Sequence, residues 1–203
     1  MTIEDATLVK STLGGSEDAF RELVERYQRP VYRLIVRMLR DPGKAEDLAQ
    51  EVFLRAYSHL ESYDRNRKFS SWLFKIAHNL TIDTLRRGSL RTVPLDRDAD
   101  EDSVAVREVA DPNALSGMRR MERADLRSAL EEALAALRPS YREVILLRFV
   151  EGLSYEEIAQ ATGMPLGTMK TQLHRARREL QDELERRGFA TGGGRETSGG
   201  RDS

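Results

Sequence analysis

Cysteine is absent from all 203 residues. That excludes disulfides, thiolate catalysis and every cysteine-containing zinc site. Long apolar runs are missing too. Stretches such as Val144–Leu147 last only a few residues, too short to span a bilayer. The opening MTIEDATLVK lacks a basic-then-apolar signal, so a cytoplasmic chain is expected. His59, His78 and His174 are the only histidines and lie far apart, there is no glycine-rich phosphate loop, and no nucleophile–base pair has recognisable spacing. The expectation is a non-enzyme with no metal, no cofactor and no small-molecule substrate.

What is present is charge. Charged residues make up 33% of the chain against 39% apolar ones, which suits small helical domains better than one large core. The net charge of −1 argues against a protein held to nucleic acid by bulk electrostatics. Its distribution is uneven. Residues 63–91 hold seven basic and two acidic residues, whereas residues 92–118 hold two basic and seven acidic ones. Adjacent segments of opposite sign point to separate roles.

The periodicity is helical almost throughout, with no convincing alternating strand. Phe20, Leu23, Val24 and Tyr27, then Val31, Leu34, Ile35 and Met38, recur at three-and-four spacing after a Ser16 cap. Pro30 is expected to bend or split this segment, and Asp41-Pro42-Gly43 to end it as a turn. A further helix from about Lys44 places Ala45, Leu48, Val52, Phe53 and Ala56 on one face. Ser70 can cap the next, through Trp72, Leu73, Ile76, Ala77 and Leu80. Between 92 and 116 the pattern dissolves into Asp, Pro, Ser and Asn, as a linker does. It returns with Met118, Met121, Leu126, Leu130, Leu134 and Leu137, and again after Pro139. The glycine-rich end is expected to be disordered. The fold class is therefore all-α: helical domains at 1–91 and 117–188, a flexible acidic linker at 92–116 and a tail at 189–203.

Residues 153–178 read LSYEEIAQATGMPLGTMKTQLHRARR. Ser154 and Glu157 have capping-box spacing, Ile158 and the small Ala159 face inward, Gly163 suits a left-handed turn and Pro165 opens a second helix. That is the layout of a helix-turn-helix, whose second helix enters the major groove. With Met169, Leu173 and Ala176 toward the core, Lys170, Thr171, His174 and Arg175 lie on the opposite side. Arg177 and Arg178 beside them suit phosphates. An ordinary helical hairpin with a solvated basic face is the competing reading.

Residues 63–91 interleave aromatic and basic groups, including Phe69, Trp72, Phe74 and Lys75, the combination that single-stranded nucleic acid requires. Asn79 adds an amide able to pair with a base edge. Trp72 and Ile76 also fit a core stripe, from which Phe74 departs. The acidic run Glu46, Asp47, Gln50, Glu51 is either a solvated helix start or a docking face for a basic partner.

Together these segments resemble the extracytoplasmic-function sigma factors of bacterial RNA polymerase. AEDLAQEVFLRAY (45–57) is similar to their core-binding helix, RKFSSWLFKIAHNLTIDTLRR (67–87) to their promoter-melting and minus-ten-reading segment, and 152–180 to their minus-thirty-five helix-turn-helix. The likeness runs from about residue 14 to 187. DRNRKFSSWLFKIAHNLTID resembles the sigma-W-like, cell-envelope-stress branch. The resemblance implies a sigma region 2 bundle at 1–91 and a sigma region 4 at 117–188. It implies that Asp47, Gln50 and Glu51 meet the clamp helices of the polymerase beta-prime subunit, with a second core contact at the beta flap. Arg65, Asn66, Arg67, Lys68 and Phe69 become the loop that captures a flipped minus-ten base. Phe74, Lys75 and Asn79 line its pocket, with Arg86 and Arg87 on the DNA. Thr168, Lys170, Thr171, His174, Arg175, Arg177 and Arg178 become minus-thirty-five contacts, His174 standing where relatives place an aromatic. The linker resembles the segment that runs through the polymerase cleft.

A regulator using 153–178 with a sensor domain is the rival; it explains neither the aromatic–basic loop nor the acidic helix. No internal switch is evident, and a tether of about twenty-five residues does not by itself shield two binding faces. Control is expected from outside, and the resemblance implies an anti-sigma factor, membrane-anchored in this branch.

Overall fold

Ser16 accepts a hydrogen bond from the Ala19 amide and starts α2 (Glu17–Leu39), the longest of the packed helices in the N-terminal half, together with α4. Pro30 does not split it. The missing N–H costs one backbone bond, but buried Leu23, Val31, Leu34 and Ile35 on either side hold one continuous stripe against the core. The computed structural model describes residues 4–91 and 117–189. The expected linker at 92–116, and the expected tail beyond Phe189, lie outside the described residues.

Before α2 comes α1 (Asp5–Leu13), a helix the periodicity did not single out. It is tied down by Asp5, which accepts from Arg26 and the Tyr27 hydroxyl. After α2, Asp41 caps α3 (Pro42–Ser58) by accepting from the Lys44 amide at 3.0 Å, with Pro42 in the first helical position. Asp41-Pro42-Gly43 is thus a helix start, where a missing N–H costs nothing, rather than a closing turn. A 3₁₀ turn (Leu60–Ser62) leads to the basic loop and then α4 (Phe69–Arg91). Ser70 sits inside the first turn of α4 and does not cap it.

The C-terminal half contains α5 (Gly117–Ala136), α6 (Pro139–Ile145) running on into a π-helical turn (Leu146–Val150), α7 (Tyr155–Thr162) and α8 (Leu166–Arg186). Gly163 closes α7 at φ 69°, the left-handed position that glycine adopts without penalty. The capping box is complete: Ser154 Oγ accepts from the Glu157 amide, and Glu157 accepts from the Ser154 amide. Leu126 and Leu130 are exposed; the buried positions of α5 are Ala129, Ala133 and Leu134, which seat α5 on α8 and α6. The small buried residue of α7 is Ala161, with Ala159 only half-buried. No strand occurs among the described residues, and no described helix is long and apolar enough to cross a membrane.

The two halves share one continuous apolar cluster, from Val9, Leu23 and Leu73 on one side to Leu147, Ile158 and Met169 on the other. The arrangement is closed. The principal contact sets α7 across α4, and α6 touches α2. Arg142 joins the halves as well. Its buried guanidinium donates to the carbonyls of Leu134, Ala135 and Leu137 at the end of α5, and to those of Arg37 and Met38 at the end of α2. These are carbonyls that a helix C-terminus leaves without partners. Burial, and the charge of Arg40 nearby, pull its pKa down, yet an arginine stays protonated.

Candidate polymerase and nucleic-acid interfaces

The core-facing stripe of α3 is Ala45, Val52, Phe53 and Ala56, which leaves Glu46, Asp47, Gln50 and Leu54 on the outside. Between α2 and α3 runs a groove of about 1140 Å³, walled by Phe20, Val24, Tyr32 and Phe53 and rimmed by Glu17, Glu46, Gln50 and Arg29. Leu54 is 64% exposed and Tyr57 54% exposed on its edge. An apolar groove with a polar rim is the form of a protein-docking surface. Glu51 is partly engaged by Arg55 at 2.7 Å, while Asp47 and Gln50 stand in solvent. The acids were legible in the sequence. Leu54 and Tyr57 were not singled out, although both fall off the buried stripe of their helix.

The basic loop is shaped from beneath. Tyr63, Phe69 and Trp72 pack ring against ring at 5.4–5.7 Å, Tyr27 lies 5.5 Å from Phe69, and the Tyr63 hydroxyl donates to the Arg67 carbonyl. Asp64 accepts from the Asn66 amide and side chain and pairs with Arg67 at 3.3 Å, closing a short turn. Arg65, Asn66, Arg67 and Lys68 are exposed on it. Lys75, Asn79, Arg86 and Arg87 are exposed on α4, and Lys75, Asn79 and Arg86 follow Lys68 along one helical stripe.

Phe69 and Phe74 are different. Both are buried, at 1% and 2% exposure, so neither ring face is open to a base in this arrangement. Phe74 does depart from the stripe that faces α2 and α3. It belongs to a second buried stripe with Ser71 and Thr81, and half-buried His78 shares that side and reaches Glu143 of the C-terminal half. Trp72 and Ile76, which fit a core pattern, are only partly buried.

On α8, Met169, Leu173 and Ala176 are buried. Thr168, Lys170, Thr171, His174, Arg175, Arg177 and Arg178 are all exposed. They cover one face of a helix that meets α7 through the Gly163 turn, so the structure brings these seven side chains together. Arg177 also lies 5.9 Å over the exposed ring of Phe149. Phe149 and Val150 are exposed apolar residues of this half that the sequence pattern did not mark, and Leu126 and Leu130, which the pattern put on its apolar face, are exposed as well.

Among the described residues three ion pairs cross between the halves, Arg33–Glu151 at 3.1 Å, Arg37–Glu131 at 2.7 Å and Lys68–Glu157 at 2.7 Å, and a hydrogen-bonding contact joins His78 to Glu143 at 2.5 Å. In each, the basic group comes from the N-terminal half and the acid from the C-terminal half. Burial pushes the Glu151 carboxyl up, with Arg33 pulling the other way. Burial would also raise Glu157, but Lys68 and the Ser154 amide outweigh it and hold that carboxyl below its ordinary value. Arg33 Nε, Ser71 Oγ and Glu151 Oε1 are buried in this region without a hydrogen-bond partner.

A helical bundle with an apolar docking groove and an aromatic-backed basic loop, joined to a helix-turn-helix with a cationic recognition face, defines the class of promoter-reading transcription initiation factors. The model for sigma-70 region 2 matches residues 23–91, and that for sigma-70 region 4 matches residues 127–180. The chain is 36% identical over 177 residues to the sigma factor SigW of Bacillus subtilis, covering 87% of this chain and 94% of that protein. It is 32% identical over 188 residues to the sigma-E factor of Escherichia coli K12, covering 90% and 95%. In architecture it is similar to CnrH bound to the cytosolic domain of CnrY, at TM-score 0.64 and 25% identity over 90% of this chain and 97% of that one. It is similar also to Bartonella quintana RpoE bound to the anti-sigma factor NepR, at TM-score 0.60 and 26% identity over 82% and 96%. The chain belongs to the extracytoplasmic-function sigma factors. It is an alternative sigma factor, a non-enzymatic initiation factor that directs transcription.

Proposed function

We propose that the α2–α3 groove, with Asp47, Gln50 and Glu51, seats the beta-prime clamp helices of core polymerase, while residues 117–188 meet the beta flap. The observation that carries this reading is the groove itself: an apolar trough with Leu54 and Tyr57 exposed and acids on its rim fits a helical partner with apolar anchors and basic flanks. Arg65, Asn66, Arg67 and Lys68, with Lys75, Asn79, Arg86 and Arg87, engage the minus-ten element. Phe69 and Phe74 act from below, as supports for that surface. Thr168, Lys170, Thr171, His174, Arg175, Arg177 and Arg178 engage the minus-thirty-five element. The chain works in the cytoplasm on a cell-envelope stress regulon, restrained by a membrane-anchored anti-sigma factor. Support for restraint by a partner comes from the two structural relatives, one described with the cytosolic domain of CnrY and the other with an anti-sigma factor.

Run-off transcription with purified core on genomic fragments tests the reading. Start sites specific to this chain are expected, lost on Asp47→Lys with Leu54→Asp because core no longer binds. Asn79→Ala should retain core binding and lose opening of duplex promoters, with a pre-melted bubble restoring part of the activity. A chain that binds operator DNA tightly without core, and adds no start sites to core, would overturn it.

A further inference from the structure

Arg138 precedes Pro139, and a residue before proline is held extended, here at φ −57° and ψ 147°. Its guanidinium makes no helix cap. Instead its central carbon lies 3.5 Å from the centroid of the buried Tyr141 ring. Stacking of this kind fixes the plane of an otherwise mobile arginine and leaves its N–H edge outward. Neither Arg138 nor Arg175 has a carboxylate partner among the described residues.

The beginning of α6 is tied to α8, because Gln172 Nε2 donates to the Ser140 carbonyl at 2.8 Å. Between the two helices opens a recess of about 350 Å³, lined by Arg138, Gly167, Thr168, Thr171 and Arg175 over Tyr141. No side chain caps α8. The amides of its first turn, Leu166, Gly167 and Thr168, therefore lack intrahelical partners and carry the positive end of a 21-residue helix. A Cβ on Gly167 would meet nothing within 4 Å, so the recess is open beside that residue. Thr171 spends its hydroxyl proton on the Gly167 carbonyl; Thr168 stands exposed beside it. Two guanidiniums, a hydroxyl and a free helix start converge on one recess. That donor set, with no acid in it, recognises an oxyanion.

Resting on the promoter-reading role given above, we propose that this recess grips one backbone phosphate of duplex DNA flanking the minus-thirty-five element, with Arg138 as its clamp. The recess adjoins the exposed face of α8, so a helix lying in the major groove carries it onto the phosphates along the groove wall. A phosphate contact carries no sequence information; it sets the depth and angle at which Lys170 and His174 meet base edges. Arg138 lies outside the recognition helix, so the helix-turn-helix pattern alone gives no sign of it.

The test uses holoenzyme assembled from the full chain and core polymerase, on a promoter duplex mapped by run-off transcription. Single uncharged methylphosphonates are placed in turn across the minus-thirty-five backbone. One position should weaken the wild-type chain and leave Arg138→Gln unaffected. Arg138→Gln should lower the slope of log affinity against log salt by about 0.9, so that affinity falls about 3.5-fold less between 50 and 200 mM. The loss should be equal on intact and base-substituted elements, and Arg138→Lys should retain the slope. The proposal is overturned if every methylphosphonate costs the two proteins the same, or if Arg138→Gln changes base preference. It is overturned too if the variant alters only the binding of free inorganic phosphate. Failure of the chain to specify any start site would instead remove the promoter-reading role, and the clamp with it.

Discussion

Arg142 shows how much one side chain can carry. Five carbonyls from two helix ends share its guanidinium, and a hydrogen bond to a charged group contributes about 1.5–3 kcal/mol net, a figure that does not add across bonds sharing one group. Arg142→Met should therefore lower unfolding free energy by roughly 3–5 kcal/mol, the cost of breaking a buried charged network. Arg142→Lys should not rescue it, because one ammonium cannot reproduce the fork. Urea titration of the three proteins checks both statements. Arg40 is the opposite case. It closes α2 at φ 57°, the only described non-glycine residue with positive φ, and its charge acts on Arg142. Arg40→Gly removes both the left-handed strain and the like charge, and should stabilise the chain by about 1 kcal/mol in the same titration. Glu151 bears on pH. Its carboxyl is raised by burial above the ordinary 4.5, so only between 4.5 and the raised value does the folded form bind more protons than the unfolded one. Stability from this group is present below 4.5 and declines as pH rises through the raised value. Glu151→Gln, which still accepts from Arg33, should flatten thermal stability across that window.

At the scale of the element, α4 separates what is legible in a sequence from what is not. A helix packed on one side betrays itself by one apolar stripe, and Leu73, Ala77 and Leu80 do so. The second stripe contains Ser71, His78 and Thr81, polar residues that read as solvent-facing until α7 is laid across them. Phe74 consequently looks like a candidate for stacking on a base when it is a core residue. The partner lies more than sixty residues further along the chain, and local periodicity carries no information at that range. Phe74→Ala should accordingly cost about 3–5 kcal/mol of stability, as truncation of a buried phenylalanine does. Asn79→Ala should stay within about 0.5 kcal/mol of wild type, as exposed substitutions do, while promoter opening falls. Differential scanning calorimetry paired with a promoter-opening assay separates the two. The helix-turn-helix was legible because its signals are local: a serine and a glutamate three apart, a glycine at the turn, a proline before the second helix. The groove between α2 and α3 was half legible, since acids on a helix start are conspicuous and an off-stripe leucine is not. The end-to-end arrangement of Arg138, Tyr141 and α8 was not legible at all.

For the whole molecule, a tether by itself does not set how the two halves sit; packing between them gives the closed arrangement. Complementary charge contributes to it, with basic groups on α2, α4 and the loop opposite acids on α5 to α7. Glu131→Arg should repel Arg37 and expand the chain, seen as a larger radius of gyration in small-angle scattering. The double swap Arg37→Glu with Glu131→Arg should return it, with a coupling of about 1 kcal/mol as expected for a partly exposed bidentate pair. Added salt should act in the same direction as the single variant.

Glu157 holds two offices in that arrangement. One of its oxygens fastens the first turn of the helix-turn-helix, and the other neutralises Lys68 in the basic loop. A phosphate that draws Lys68 away must displace this carboxylate, and in doing so it weakens the hold of one half of the chain on the other. By thermodynamic reciprocity, whatever engages α8 and pulls the halves apart makes Lys68 available at lower cost. If Lys68 and α8 take the promoter roles proposed above, occupancy of the two elements by this chain is cooperative from within. The spacing of the elements on the DNA decides whether that cooperativity is used, and Glu157→Gln, which keeps the helix cap and gives up the charge, should abolish it.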